Sequence, residues 1–583
     1  MVKIGRKRAS LFSATIFLWA ATIVTYFFAY PNFTSATVST KDTSPRVVKW
    51  PFTVHDLPVT ERKCEIPVDL GVLHPSQFSL FTDSDVTRVF INGIEVSRPF
   101  PWRNLDDQPI KLDFRHHAHL GNNLITIYLS NTTDTLYVKL FAFPKDAVVL
   151  TAIAVNLLAL AATILLAQTY FPKTLTSVFA ATLFLGIAIR ILYVAGTPYH
   201  FRSHDLSGHV EYIRYVASHL SLPAEHYGWE THQSPLYYVI CGFWMHLTGQ
   251  EGSSWLYGQW QSFSLLLSIG SLMICVPIAN LAFQNSNQAS ERSLFLLVLG
   301  VFPGLVYLAG QISNDSLFTL ISFSWLYFLL RWWLNPSLRN AVLLAFILGI
   351  GILTKNTTFV LGGITLVCCV IQSKLTLQYR VKHISVIGAV CLLLAGWYQI
   401  PRVFSASTMP LFMVGNYTGI DRAAAISPSL LHSICFDPIS MIKIPFNSIT
   451  SDEYRRQYLL EFFYKSSLFG EWAWGPYLRL TSQILIASSL ACIPIIFVGL
   501  YRGLVSPLWP ALYLTAFLLL ATVIIFVWLV PFSCSQDFRF VPLIIIPIAY
   551  FAAIGTERLV IAKWLIIFFA VNCILYLKLL TWA

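Results

Sequence analysis

Charge is scarce in this chain. Acidic and basic side chains make up 11% of its residues, against roughly 25% in a soluble globular domain, and that shortage excludes a soluble monomer. Cysteines at metal-binding spacing are missing too. Of the ten cysteines, Cys241, Cys275, Cys368, Cys369, Cys391, Cys492 and Cys573 sit inside apolar runs, where a thiol behaves as a small buried hydrophobe. Only Cys64, Cys435 and Cys534 fall in segments read as external, which leaves a Cys435–Cys534 disulfide as the one pairing to consider. No small-x-small cleavage site follows the first apolar run, so the basic start from Met1 to Arg8 and the run to Tyr30 read as a retained anchor rather than a removed signal peptide. No repeat relates the two halves of the chain.

What fills the sequence instead is apolar: 56% of residues are hydrophobic and 15% aromatic. A bilayer crossing takes about 20 such residues. The first anchor is followed by runs at about 148–168, 175–197, 256–283, 293–312, 317–334, 340–354, 357–373, 383–402, 482–502, 508–531, 540–556 and 560–580. Together these predict a polytopic α-helical membrane protein of about thirteen spans. A further run at 234–249 is short and interrupted by Gly242 and His246, and is read as a surface helix. The net charge is 39 Lys+Arg minus 28 Asp+Glu, or +11. The basic residues are scattered between apolar runs, so they act as topology signals and nucleic acid is not an expected partner. With the N-terminus inside, Lys173, Arg331 with Arg339, Lys374 with Arg380 and Lys382, Arg502, and Arg558 with Lys563 fall in inner loops. The outer face then receives 198–255, Asn314-Asp315, 403–481 and 532–539.

The expected organisation is an anchor over 1–30, an outer β domain over 31–146, a membrane core over 147–402 with an outer loop at 198–255, a large outer loop over 403–481, and C-terminal membrane helices over 482–583. The β domain rests on period-2 segments at 88–96, 111–114, 123–129 and 135–140, the spacing of a small all-β sandwich. Its Phe90-Ile91-Asn92-Gly93-Ile94-Glu95-Val96 and Leu120-Gly121-Asn122-Asn123-Leu124-Ile125-Thr126-Ile127 resemble the galactose-binding-like jelly rolls of carbohydrate-active enzymes; a spacer without a ligand accounts for the pattern equally.

The most informative segment follows the third span: His204-Asp205-Leu206-Ser207-Gly208-His209-Val210-Glu211-Tyr212, then Trp229-Glu230-Thr231-His232-Gln233-Ser234-Pro235-Leu236-Tyr237-Tyr238. Leu206, Val210, Ile213, Ala217 and Leu220 recur at helical spacing and predict an amphipathic interfacial helix. Asp205 at its start is either an N-cap or a functional acid. Asp-x-x-Gly-His-x-x-Tyr after a span, followed by an acid and Pro-Leu-Tyr-Tyr, resembles the first outer loop of the GT-C superfamily of lipid-phosphosugar-dependent glycosyltransferases, which includes protein O-mannosyltransferases and aminoarabinose transferases. The likeness continues in order through Phe302-Pro303, Asn314-Asp315-Ser316-Leu317, Gly349 to Lys355, Gly396-Trp397-Tyr398, and Asp537 to Pro542, covering about 175–556.

The resemblance implies an inverting transfer of a sugar from a polyprenyl-phosphate donor to a glycan, glycolipid or protein acceptor at the outer face. The acceptor hydroxyl needs a base, for which Asp205 is the candidate, with Asp315 as the second acidic position. The departing lipid phosphate needs fixed cations, for which Lys355 and Arg539 are the candidates. Both could instead be interfacial anchors. Arg190 lies about 10 Å below the end of its span by helical rise, where an intramembrane charge defaults to function. His209, Glu230, His232 and Tyr237 complete the expected substrate contacts. This chain has Leu206 where the family often has a paired acid, so no cofactor is assigned; Glu230 and His232 are the candidate ligands should a divalent metal be needed. Trp472 and Trp474 read as interfacial belt residues. The rival readings are a transporter, which should show inverted repeats, and an O-antigen ligase or polymerase. Short loops and the basic start point to a bacterial inner membrane with the site facing the periplasm.

Overall fold

The computed structural model describes strand segments between residues 32 and 143 and, apart from short gaps, residues 177–284, 288–405, 426–447, 458–471 and 476–582. The anchor over 1–30, the run at 148–168, and Trp472 with Trp474 lie outside the described residues. The chain divides into two compact units, one comprising Met1–Tyr170 with Met245–Trp260, the other Phe171–Trp244 with Gln261–Ala583.

The first unit holds two antiparallel sheets, one of seven strands and one of four. The alternation in its sequence becomes rows of buried side chains across neighbouring strands. On the central strand Gly121–Ser130, Ile125 stands between Ile66 and Ile91, and Ile127 between Cys64 and Val89; all six are fully buried. Such opposed pairs on one face are the unit of sheet stabilisation. Ile91 pairs with Ile94 across a two-residue turn, and Asn92 and Gly93 both take positive φ (52° and 80°). That is the turn geometry for which Asn-Gly is the preferred pair.

The second unit is helical. Its elements, some beginning or ending across the unit boundary, are α1 (Ser177–Ala195), α2 (Leu206–His219), α3 (Leu236–Thr248), α4 (Ser254–Ala282), α5 (Ala289–Val301), α6 (Pro303–Tyr307), α7 (Asp315–Leu334), α8 (Leu338–Ile352), α9 (Thr358–Ile371), α10 (Leu377–Ser405), α11 (Leu430–Ile434), α12 (Pro438–Lys443), α13 (Leu459–Phe469), α14 (Pro476–Ala491), α15 (Ile493–Gly503), α16 (Trp509–Leu529), α17 (Ile545–Gly555) and α18 (Val560–Trp582). Among the described residues seven helices are long and apolar enough to cross a membrane, and Ala289–Val301 with Pro303–Gly310 makes an eighth span bent by 52°. The protein is an integral membrane protein. Three of the expected thirteen spans, 340–354, 357–373 and 540–556, are shorter apolar helices instead. At 15, 14 and 11 residues, α8, α9 and α17 fall short of the roughly 30 Å hydrocarbon core at 1.5 Å per residue. The short run at 234–249 is the 13-residue α3, as its length predicts.

The bend explains Arg190. Pro303 has no N–H and cannot bond the carbonyl four residues back, which is that of Leu299. Arg190 on α1 supplies the donor: Nη2 bonds Leu299 O at 3.2 Å, Nη1 bonds Gly300 O at 2.6 Å and Gly186 O at 2.9 Å, and Nε bonds Ser268 Oγ at 3.0 Å. Its guanidinium is engaged within the bundle, where these bonds give it a structural role at the bend. The cysteines are all free, so the Cys435–Cys534 disulfide does not form.

Candidate active site

The turns of a back-and-forth chain alternate between its two ends, and one end gathers the polar segments after α1, before α7, after α8, at the end of α10, after α13 and after α16. Arg402 Nη2 bonds His232 O at 2.7 Å, Tyr398 OH bonds Gln233 O at 3.0 Å, and Asn314 Nδ2 bonds Thr354 O at 3.1 Å and Gln233 Oε1 at 3.2 Å. The motif after α1 has a packing reason at each position. A Cβ on Gly208 would come within 2.7 Å of Glu230 Cγ and 3.2 Å of Trp229 Cβ, so only glycine lets α2 approach the 229–230 turn. His209 Nδ1 is 2.8 Å from Tyr238 OH, and Tyr212 stacks on Tyr238 with ring centroids 4.0 Å apart.

Asp205 is not a side-chain cap. Its backbone is left-handed (φ 49°) and its carboxylate makes no capping bond to α2. It accepts instead from Trp229 Nε1 at 3.2 Å, lies 3.6 Å from Arg539 Nη2, and is 38% exposed. Arg202, three residues earlier, is also left-handed (φ 58°). Non-glycine residues in that region are uncommon, and such strain clusters at functional sites. Burial works against ionisation of Asp205, but Arg539, His209 and His204 outweigh it and hold the carboxyl below its ordinary range.

Asp315 and Lys355 form a buried ion pair, their side chains 3% and 8% exposed. Asp315 opens α7, with Asn314 preceding it and making no side-chain cap. Lys355 is therefore not a snorkelling anchor. Lys355 Nζ lies 5.2 Å and Arg539 Cζ 5.3 Å from the centroid of the same Phe540 ring, so the two cations are neighbours. Arg539 is 14% exposed. Burial disfavours its charge, yet Glu471, Asp315, Asp537 and Asp205 together hold it more firmly protonated than a free arginine.

Three further side chains that no motif singled out for a role complete the cluster. His204 Nδ1 is 3.3 Å from Glu471 Oε2, and His204 Nε2 is 3.9 Å from Asp537 Oδ2. Asp537 also accepts from the Arg539 backbone N–H at 3.0 Å. Burial, with Arg539 adding to it, pulls His204 down to about 4; burial likewise pulls His209 down to about 4. Both imidazoles are neutral at physiological pH. Burial and the nearby Glu471 push Asp537 up to about 7, and burial raises Glu471.

Glu230 is 4% exposed, and its Oε2 has no hydrogen-bond partner among the described residues. Burial, then the charge of Asp205, push it up to about 8. A folded-state value raised above the ordinary 4.5 means that the stability tied to this group is complete below about 4.5 and is lost as pH rises through about 8. Glu230→Gln is expected to match the parent's thermal midpoint at the acid end of that window and exceed it at the alkaline end. Parallel pH–Tm curves would show Glu230 ionised throughout.

The cluster thus unites Asp205, Asp315, Lys355, Arg539, His209 and Glu230. His232 lies at its edge, with Nδ1 2.9 Å from Trp229 O and Nε2 3.3 Å from Gln233 Nε2. Tyr237 is buried, its ring against Tyr238 and Phe263.

No family model matches the chain, and no curated protein matches it. Among solved structures it is similar to the Archaeoglobus fulgidus oligosaccharyltransferase in complex with zinc and sulfate, at 12% identity and a TM-score of 0.43 over 70% of this chain and 52% of that one. It is similar to ArnT from Cupriavidus metallidurans bound to undecaprenyl phosphate, at 13% identity and a TM-score of 0.33 over 65% and 76%. It is also similar to the arabinosyltransferase EmbB from Mycobacterium smegmatis, at 12% identity and a TM-score of 0.30 over 94% and 64%. The chain therefore spans about half the length of the archaeal oligosaccharyltransferase.

Proposed function

We propose that this protein is a glycosyltransferase of the GT-C type, transferring a sugar with inversion from a polyprenyl-phosphate donor to an acceptor hydroxyl at the periplasmic face of a bacterial inner membrane. The observation that carries the reading is the placement of a buried lysine and a half-buried arginine on one aromatic ring, with a partly exposed carboxylate beside the arginine. In the proposed step the acceptor oxygen forms its bond to the anomeric carbon while the bond from that carbon to the phosphate oxygen breaks. Asp205 takes the hydroxyl proton, and Arg539 and Lys355 meet the charge left on the lipid phosphate in a site poor in water. Asp205 suits the role because it is both ionised and reachable. Asp315 acts through Lys355, as a positioning residue rather than a base. His209 and Glu230 line the same end of the bundle, Glu230 as a neutral acid able to donate a hydrogen bond to sugar or acceptor.

Arg539→Ala tests the reading. A charged hydrogen bond is worth roughly 1.5–3 kcal/mol, so kcat/KM for a labelled polyprenyl-phosphate sugar is expected to fall about 10- to 100-fold. Because Arg539 also holds Asp205 below its ordinary range, the acid limb of the pH–rate profile should move to higher pH. Unchanged kinetics with an unmoved profile would return Arg539 to the anchor reading.

A further inference from the structure

We propose that an aromatic rim running from Trp229 through Tyr227 to Tyr215 and His219 binds a saccharide, so that the acceptor is a glycan chain rather than a protein or a lipid head group; the second clause rests on the transfer reaction proposed above. The rim begins at the candidate base. Trp229 Nε1 bonds Asp205 Oδ1 at 3.2 Å, and the residue is 37% exposed. Its indole is seated over Gly208, where a Cβ would come within 3.2 Å of Trp229 Cβ and Cδ1. Tyr227, two residues earlier, is 55% exposed and meets the Tyr215 ring edge-on, with centroids 4.6 Å apart. Tyr215 in turn stacks on His219 at 4.2 Å. Tyr215 stands ten residues along α2 from Asp205, about 15 Å by helical rise, so the rim is longer than one sugar ring.

Aromatic side chains at a membrane boundary are ordinarily belt residues, and the register of α2 decides against that here. The buried stripe of α2 is Leu206, Val210, Ile213 and Ala217. Tyr215 belongs to the opposite stripe, with Ser207, Glu211, Ser218 and His219, all four of them exposed. A face that carries a carboxylate, two hydroxyls and an imidazole is turned to water. The turn bearing Tyr227 and Trp229 is held by its own bonds: Thr231 Oγ1 donates to Gly228 O at 2.9 Å and accepts from Gly228 N at 3.0 Å. Aromatic faces on a turn already held in place lose little freedom on binding. Glu211 reaches the same turn, its carboxylate filling the space that a Cβ on Gly228 would need. A pyranose has apolar C–H faces and a rim of hydroxyls, so it lies on a tyrosine or tryptophan face while its hydroxyls meet a carboxylate or an imidazole. A phosphorylated head group calls for clustered cations, and a peptide for a groove or a free strand edge.

Binding is read without transfer. The full chain in lipid nanodiscs, free of sugar-based detergent, is applied to an array of neutral and acidic oligosaccharides. The strongest ligand is then titrated against the parent, Tyr227→Phe, Tyr227→Ser, and the double change Tyr215→Ser with Tyr227→Ser. Trp229 is left alone because it also bonds Asp205. Saturable binding by the parent and by Tyr227→Phe is expected. An aromatic contact is worth about 2- to 12-fold in affinity, so the double change should raise Kd about tenfold. Tm is taken on each preparation, and Tyr227→Ser, at an exposed position, decides should the double variant not fold. Failure of the parent to bind any oligosaccharide, or one Kd for parent and serine variants alike, would overturn the rim as a saccharide site while the donor kinetics of Arg539→Ala stand or fall separately. A protein that binds oligosaccharide in the expected pattern yet transfers no sugar would sink the transfer reaction and leave the saccharide site standing.

Discussion

Asp205→Asn is expected to leave a folded protein that no longer transfers sugar. The substitution is isosteric, the side chain makes no cap to lose, and an amide oxygen can still accept from Trp229. What disappears is the carboxylate beside Arg539 that would receive the acceptor's proton, and general-base catalysis contributes roughly 100- to 10,000-fold. The measurement is transfer of labelled sugar from a polyprenyl phosphate, with Tm taken on the same preparation. Retained turnover would sink Asp205 as the base. Glu230 could then serve only above about pH 8, where it ionises, and the rate would climb with pH accordingly.

Lys355→Met should be the most damaging single change for stability. It leaves the Asp315 carboxylate, 3% exposed, without its cation, and breaking a buried pair from one side costs about 3–5 kcal/mol. Replacing both partners, as Asp315→Asn with Lys355→Met, removes the stranded charge and should recover most of that loss, because the desolvation cost disappears together with the attraction. Donor use should remain impaired in the double variant, since the cation is still missing. A Lys355→Met protein as stable as the parent would show that the pair is hydrated. A fully active double variant would remove Lys355 from phosphate binding.

The amphipathic helix after α1 could be read from its 3.6-residue period, and the gathering of Asp205, Asp315, Lys355 and Arg539 at one end could be read from the alternation of basic loops. Gly208, His209 and Tyr212 stood out as a motif, although the sequence did not reveal that they pack against Glu230 and Tyr238. Three kinds of information lay beyond it. Ion pairing depends on distances that composition does not encode, so Lys355 could not be told from an anchor until Asp315 appeared beside it. The His204, Glu471 and Asp537 cluster joins loops with no shared periodicity; its only linear clues were the place of Glu471 just before a span and that of Asp537 two residues before Arg539. Arg190 was legible as a buried charge, but its purpose depended on Pro303, a helix break on a different segment.

That last arrangement has a consequence for how the chain is made. An arginine at the centre of an isolated transmembrane helix costs about 2.5–3.5 kcal/mol to insert, an upper bound for Arg190 at about 10 Å from the end of its span, and the Gly300 carbonyl that it bonds arrives 110 residues later in synthesis. At about 5–20 residues per second, α1 waits several seconds for its partner. During that interval it is poorly suited to release into lipid by itself. The hydrogen bonds to Leu299 and Gly300 thus favour an order of assembly in which α1 settles in the bilayer once α5 has arrived to satisfy its arginine.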